Sequence, residues 1–302
     1  MSESITAVGT EMRSYYGRPI LKEPVWQPEI PWYFFTGGLA GASSVLGLAG
    51  RAAGNQPLAK AGLYLSMAGE AVSPALLISD LGRPERFLNM LRVFKVTSPM
   101  SVGSWILATS GGATSLATGL EVLDRAPRLK VLAEAVSALL GAPLSVYTAT
   151  LVSDTAIPVW HEARRELPFV FAASSAASAG AAATAVLPPA DAGPARRLAV
   201  GGVAAGSVAM LAMQARLGRL GEPYHKGEAG RYHAISKVCT AAGAVLLSRR
   251  ARRSRLAAVA GGALVLAGEA ALRWSVFRAG FQSARDPKYV VEAQRSRIAK
   301  AS

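Results

Sequence analysis

Hydrophobic residues along this chain are gathered into blocks of about 17–23, parted by short stretches rich in Arg, Pro and Gly. The blocks cover about 31–51, 58–80, 100–122, 129–152, 167–188, 197–217, 233–248 and 256–277. At about 1.5 Å per residue, each nears the length needed to cross the ~30 Å hydrocarbon core of a bilayer. The pattern therefore predicts an all-α polytopic membrane protein with eight transmembrane helices. The seventh block is the weakest, being short and flanked by Lys237 and Arg249. An even count returns both termini to one face, side A, together with the loops after the second, fourth and sixth spans. Side B holds the other four loops.

Two openings sharpen the picture. The first span begins Glu29-Ile30-Pro31-Trp32-Tyr33-Phe34-Phe35, and the fifth begins Glu166-Leu167-Pro168-Phe169-Val170-Phe171. Both lie on side A, four spans apart, and each is followed by a run of small residues. This predicts two parallel four-helix bundles related by an axis along the membrane normal. The corresponding units are a polar N-terminal segment 1–30, bundles 31–160 and 161–280, and a basic tail 281–302. The fifth span is so rich in Ala and Ser that it should be enclosed by other helices, since lipid contact favours Leu, Ile and Phe.

Composition narrows the class. Hydrophobic residues make up 51% of the 302, charged residues 17%, and the mean hydropathy is +0.28. The net charge of +14 sits in loops and tail, which fits topology and lipid headgroups; no aromatic-interleaved basic motif points to nucleic acid. Lys and Arg near the span ends favour side A inside only slightly, while the cluster Arg249-Arg250-Ala251-Arg252-Arg253-Ser254-Arg255 favours side B, so orientation stays open. The single Cys239 excludes an intrinsic iron–sulfur cluster and a CxxCH haem site. A bis-histidine haem needs facing imidazoles between helices, and His161, His225 and His233 fall in loops or at span ends on side A. Neither haem nor metal is expected in this chain. Residues 1–30 lack the apolar core of a signal peptide, so the first span is expected to be retained.

The chemistry centres on Gly69 to Trp105. Glu70 lies ten residues before the interfacial Asp80, roughly 15 Å deeper and near mid-bilayer. A carboxyl group there is costly unless it faces the bundle interior, which makes it a functional candidate. Pro74 lacks an N–H and frees the carbonyl of Glu70 itself. Glu134 falls towards side B. Glu269 and Arg273, four apart on one helical face, either pair with each other or join Glu70 and Glu134 in a proton route.

Several motifs resemble one family: Pro31-Trp32-Tyr33-Phe34-Phe35-Thr36-Gly37-Gly38-Leu39-Ala40-Gly41, then Asp80-Leu81-Gly82-Arg83-Pro84-Glu85-Arg86-Phe87. With Ser98-Pro99-Met100-Ser101-Val102-Gly103-Ser104-Trp105, and Arg273-Trp274 through Arg278-Ala279-Gly280, they are similar to the NrfD/PsrC family. These are the membrane subunits of polysulfide reductase-like complexes. The resemblance implies two four-helix bundles without haem, in the cytoplasmic (inner) membrane of a bacterium. It implies electron exchange between a quinone or quinol, menaquinone or ubiquinone, and a docked ferredoxin-like subunit with four iron–sulfur clusters. That subunit would serve a molybdopterin catalytic subunit, and its docking face is commonly external, which would make side A the outer one. The terminal substrate is not carried by such a subunit.

For the quinone, side A offers Gln27, Glu29, Trp32, Asp80, Tyr147, Asp154 and His161. Tyr147 stands where the family's tyrosine motif late in the fourth helix belongs, whereas Gln27 and Glu29 stand where the family often has Asn or His. Glu70, Tyr147 and Asp80 are the candidates for proton exchange with the quinone, and Arg83 and Arg86 for contact with the pocket or the partner. Each has a plainer reading: Tyr147 as a packed aromatic, Trp32 as an interfacial anchor, Asp80 as a loop cap, the arginines as solvated charges. Two other functions also fit: a transporter-like or ion-translocating subunit built on Glu70, Glu134 and Glu269, and a passive anchor with no quinone site.

Overall fold

The computed structural model describes residues 20–83 and 85–291 and, among them, holds helices and no strand. The first four long helices are α1 (Glu29–Ala52), α2 (Gln56–Asp80), α4 (Pro99–Val122) and α5 (Pro127–Ser153), with a short α3 (Arg86–Met90) after α2. A short α6 (Pro158–Glu162) leads to α7 (Leu167–Val186), α8 (Gly193–Leu217), α9 (Gly227–Arg249) and α10 (Arg255–Arg285). Of these, α2, α5, α7, α10, and α8 with the 3-10 turns that extend it to Tyr224 are long and apolar enough to cross a membrane. The α1, α4 and α9 helices are of similar length but richer in Gly, Ser, Thr or charged residues. Pro84 and the ends 1–19 and 292–302, where most of the polar N-terminal segment and the basic tail lie, are outside the described residues.

Local chemistry sets the helix ends. Asn55, Ser98 and Ser254 each precede a helix and accept from the N–H three residues on, at 3.0, 3.4 and 3.2 Å. Proline occupies the first turn of α2, α4, α5, α7 and α8, where its missing N–H costs nothing. Between α1 and α2 the chain reverses at Gly54, whose φ of +72° would strain a residue with a Cβ.

Two expectations need correction. The α9 helix begins at Gly227 rather than near 233, so His233, expected at the very start of that span, lies six residues inside the helix and is buried. Its polar face (His233, Ser236, Thr240) depresses the hydropathy, yet that face packs inward and needs no lipid-like character. The α10 helix runs to Arg285, eight residues past the expected end, so 281–285 belong to the helix and not the tail. Aromatic packing holds this extension: Trp160 sits against Phe277 and Phe281 and stacks on Trp26 at 5.5 Å. The Trp160 indole also donates to Val276 O at 2.7 Å. Arg285 pairs with Glu23 at 2.9 Å, so residues 20–28 close over the side-A end.

Within the first half α1 packs on α2 and α5, and α5 on α4; within the second, α7 packs on α8 and α10, and α10 on α9. These contacts are close because small residues let backbones approach. A methyl at Gly62 would overlap Gly47 across α1 and α2, and Gly180 and Gly202 play the same part between α7 and α8. The seams α2/α4 and α8/α9 are looser. The halves meet through α1 and α7. Phe34 and Phe171, equivalent in the two openings, touch at 6.1 Å, and four residues on Gly38 backs onto its equivalent Ser175. As its composition requires, α7 is the most enclosed candidate span, 72% buried against 33% for α2.

Candidate functional site

At side A the ends of α4 and α5 part around a cavity of about 720 Å³. Its walls are apolar, including Val102 and Ile106 from α4 and Pro143 and Val146 from α5. Polar groups enter from Tyr147, Thr150 and Ser153 of α5, Asp154 at its end, Thr97 before α4, His161 of α6 and Arg164 just after it. A cleft that sets apolar walls beside convergent polar groups is the usual form of a small-molecule site.

Each of these groups is held for a stated reason. Pro143 inside α5 cannot donate to Leu139 and loosens the helix one turn before Tyr147. The Tyr147 ring lies where a methyl on Gly103 would be, so the glycine of the Ser98–Trp105 motif is the space that admits it. On its other side the ring meets Tyr33 edge-on at 6.4 Å. The Tyr147 hydroxyl bonds to no other described residue. Asp154 caps α5 and is exposed, and its N–H donates to Thr150 O at 2.9 Å. Arg164 is exposed at the mouth, where it donates to His161 O at 3.0 Å and lies 3.8 Å from the Glu162 carboxylate. The cavity thus offers a phenolic donor at depth and an imidazole, a carboxylate and a guanidinium at its opening.

Of the residues expected to meet a quinone, Tyr147, Asp154 and His161 come together here. The others do not line the cavity. Asp80 accepts from the Gln27 N–H at 2.8 Å and so ties the chain before α1 to the end of α2. Trp32 is 45% exposed and turns its edge to Phe35 and Trp274. Glu29 stands in the first turn of α1, and Arg83 and Arg86 are exposed around the start of α3. Sequence reasoning did not find Thr97 or Arg164, which reach the cavity only because the chain before α4 and that after α6 fold over it.

The buried carboxyl groups have different surroundings. Glu70 is 5% exposed; its Oε1 accepts from Ser110 Oγ at 2.5 Å and its Oε2 has no partner. It lines a second cavity of about 330 Å³ in the α2/α4 seam, with Met67, Pro74, Phe87 and Gly111. Glu134 is taken by Arg51 at the end of α1, which grips both oxygens, one at 2.6 Å. Glu269 and Arg273 do not pair. Arg273 donates instead to Phe171 O at 3.1 Å and Ser175 Oγ at 3.0 Å, and its guanidinium lies 3.7 Å over the Phe171 ring. Spacing of i,i+4 places two residues on one face, but the arginine turns towards α7, where a carbonyl and an aromatic face await it. Glu269 lines a cavity of about 210 Å³ between α8, α9 and α10, with Gln214, His233 and Lys237.

No group of three or more His, Cys, Asp or Glu among the described residues is arranged to hold a metal ion. A family model described as polysulphide reductase, NrfD, matches residues 21–284. No curated protein matches the chain.

Proposed function

The chain belongs to the NrfD family and is a membrane subunit of a respiratory oxidoreductase complex, and from that premise we propose that it exchanges electrons between membrane quinone or quinol and an iron–sulfur subunit docked on side A. In this reading the eight long helices all cross the inner membrane of a bacterium as two four-helix bundles. Contact between equivalent residues, Phe34 with Phe171 and Gly38 with Ser175, supports an axis along the normal between α1 and α7. The docked subunit carries the clusters and serves a molybdopterin catalytic subunit.

One observation carries the reading: the only phenol among the cavity's lining residues, Tyr147, keeps its hydroxyl free of other described residues within an apolar slot at side A. The residues fit a quinone ring. Val102, Ile106 and Pro143 provide flat apolar contact, the Tyr147 hydroxyl can donate to one carbonyl, and His161 is placed to donate or accept at the mouth. The quinone, when bound, supplies a two-electron, two-proton carrier. This chain binds and orients it, excludes water from its ring, and provides polar groups at its carbonyls.

Purification of the intact complex with native lipids tests this. Extraction should yield quinone in about stoichiometric amount, with iron–sulfur and molybdopterin partners, while the isolated chain shows no haem Soret band. A complex that turns over yet neither retains nor reacts with quinone would contradict the proposal.

A further inference from the structure

The two halves treat their charges at side B differently. In the first, cations have acids: Arg51 grips Glu134, and Lys60 and Lys130 share Glu121 at 2.8 and 2.5 Å. In the second, the stretches 186–200 and 245–258 that form this end hold seven arginines and a single acid, Asp191. None of the seven forms an ion pair among the described residues. Arg255 is engaged otherwise: it donates to Leu187 O and, at 3.2 Å, to Val186 O, which pins the start of α10 to the end of α7.

Arg196 is set apart from the rest. It stands in the first turn of α8 and is 9% exposed, whereas Arg197, Arg249, Arg250, Arg252 and Arg253 are exposed. Its Nη1 is buried without a hydrogen-bond partner, and the charged groups near it, Arg252 and Arg197, repel it. Ala192 gives α8 no side-chain cap, so the positive end of the helix dipole adds to the same charge. A topology signal, or general attraction to headgroups, needs only exposed arginines. A guanidinium drawn out of water beside two others costs free energy and gains none within the chain, so the arrangement lacks its counter-charge.

We propose that Arg196, Arg197 and Arg252 form a site for the phosphate of an anionic phospholipid in the side-B leaflet. A guanidinium presents paired N–H donors that match two phosphate oxygens, and a helix N-terminus favours the same group. Three guanidinium groups disfavour a headgroup that carries its own ammonium, which selects a lipid of net negative charge. Position favours a lipid over free phosphate. Arg196 is three residues past the start of a membrane helix, about 4.5 Å along its axis and so at headgroup level. At the same end of α10, Leu256 and Val259 are 79% and 41% exposed and offer acyl chains an apolar surface. The bound phosphate ties the start of α8 to the loop between α9 and α10, across the looser seam of this half. The site lies at the opposite end of the molecule from the α4/α5 cavity and does not depend on the quinone reading.

The test uses the full chain, purified in mild detergent and stripped of lipid, followed by native mass spectrometry and thermal unfolding. Dioleoyl-phosphatidylglycerol should bind at least about tenfold more tightly than dioleoyl-phosphatidylcholine and raise the melting temperature by about 2 °C or more. Arg196→Gln should lose at least about tenfold in affinity for phosphatidylglycerol, the size expected for a charge-assisted bond. Arg249→Gln removes the same charge from the patch and should stay within about twofold of wild type. In lipid-free detergent Arg196→Gln should melt at or above wild type, since it removes a buried charge that has no partner, and with phosphatidylglycerol the order should reverse. Equal affinity of the wild type for the two lipids would overturn the site, and that measurement needs no variant to fold. An equal loss in Arg249→Gln, or a lipid-free Arg196→Gln that melts below wild type, would overturn it as well. Inorganic phosphate that gives the full thermal shift and displaces the lipid would overturn the lipid assignment.

Discussion

At side A, α4 and α5 part around a cavity of about 720 Å³, whereas α9 and α10, their counterparts in the second half, are stitched together. Ser275 donates to Ala229 O at 2.9 Å, Tyr232 stacks on Trp274 at 5.5 Å, and Arg278 lies 3.4 Å from Glu228. Gly243 and Gly268 then let the two helices run in close contact further down. On the other side the one comparable fit, Gly103 against Tyr147, makes room for a side chain and does not close the helices together. Under the proposed function, the two halves share an order of helix packing but only one of them opens to a quinone. The stitched pair supplies a platform under α6 and residues 20–28, and the parted pair supplies the opening.

The contrast can be broken most severely by filling the cavity. Val102→Trp should lower quinone-linked turnover by at least about a hundredfold, since a ring held out of position loses effects of that size. Dye-linked activity of the complex should survive, because that route bypasses the membrane; equal loss of both activities would show an assembly defect instead. Gly103→Ala should act next most strongly. Its methyl overlaps the Tyr147 ring, so overpacking costs about 1–3 kcal/mol, and turnover should fall by roughly tenfold with a lowered melting temperature.

Tyr147→Phe isolates the hydroxyl. One hydrogen bond contributes about 0.5–1.5 kcal/mol, so turnover should drop by about two- to tenfold with assembly unchanged. No change would make Tyr147 a packing residue. The smallest effect is expected on the stitched side. Ser275→Ala removes its bond to Ala229, and steady-state kinetics should stay within about twofold of wild type while thermal stability falls by about 1 kcal/mol or less. A kinetic effect as large as that of Tyr147→Phe would deny the asymmetry between the halves.

Much of the fold was legible from the sequence for identifiable reasons. The apolar blocks fall on the long helices, and the two like openings around Pro31 and Pro168 fall at the starts of α1 and α7. The misjudged ends have the opposite origin. The α9 start is hidden by polar residues that face protein, and the α10 extension is held by Trp26 and Trp160, distant in the chain. At the cavity, Tyr147, Asp154 and His161 could be chosen from motif position and their place at side A, whereas Glu70, chosen for its depth, lines a separate cavity. Arg51 as the partner of Glu134, 83 residues away, and Thr97 and Arg164 at the cavity could not, because their roles arise from which helices meet. The Glu269–Arg273 pairing failed since helical spacing fixes a face and leaves the rotamer to the neighbours.

The central claim is that quinone occupies the space between α4 and α5. Photolabelling of the intact complex with an azido-quinone, followed by peptide mapping, tests it most directly. Label competed by excess decylubiquinone should fall on residues 97–106 and 143–161, which contribute most of the cavity lining. Competed label confined to α8 and α9, around the cavity of Glu269 and His233, would contradict the account.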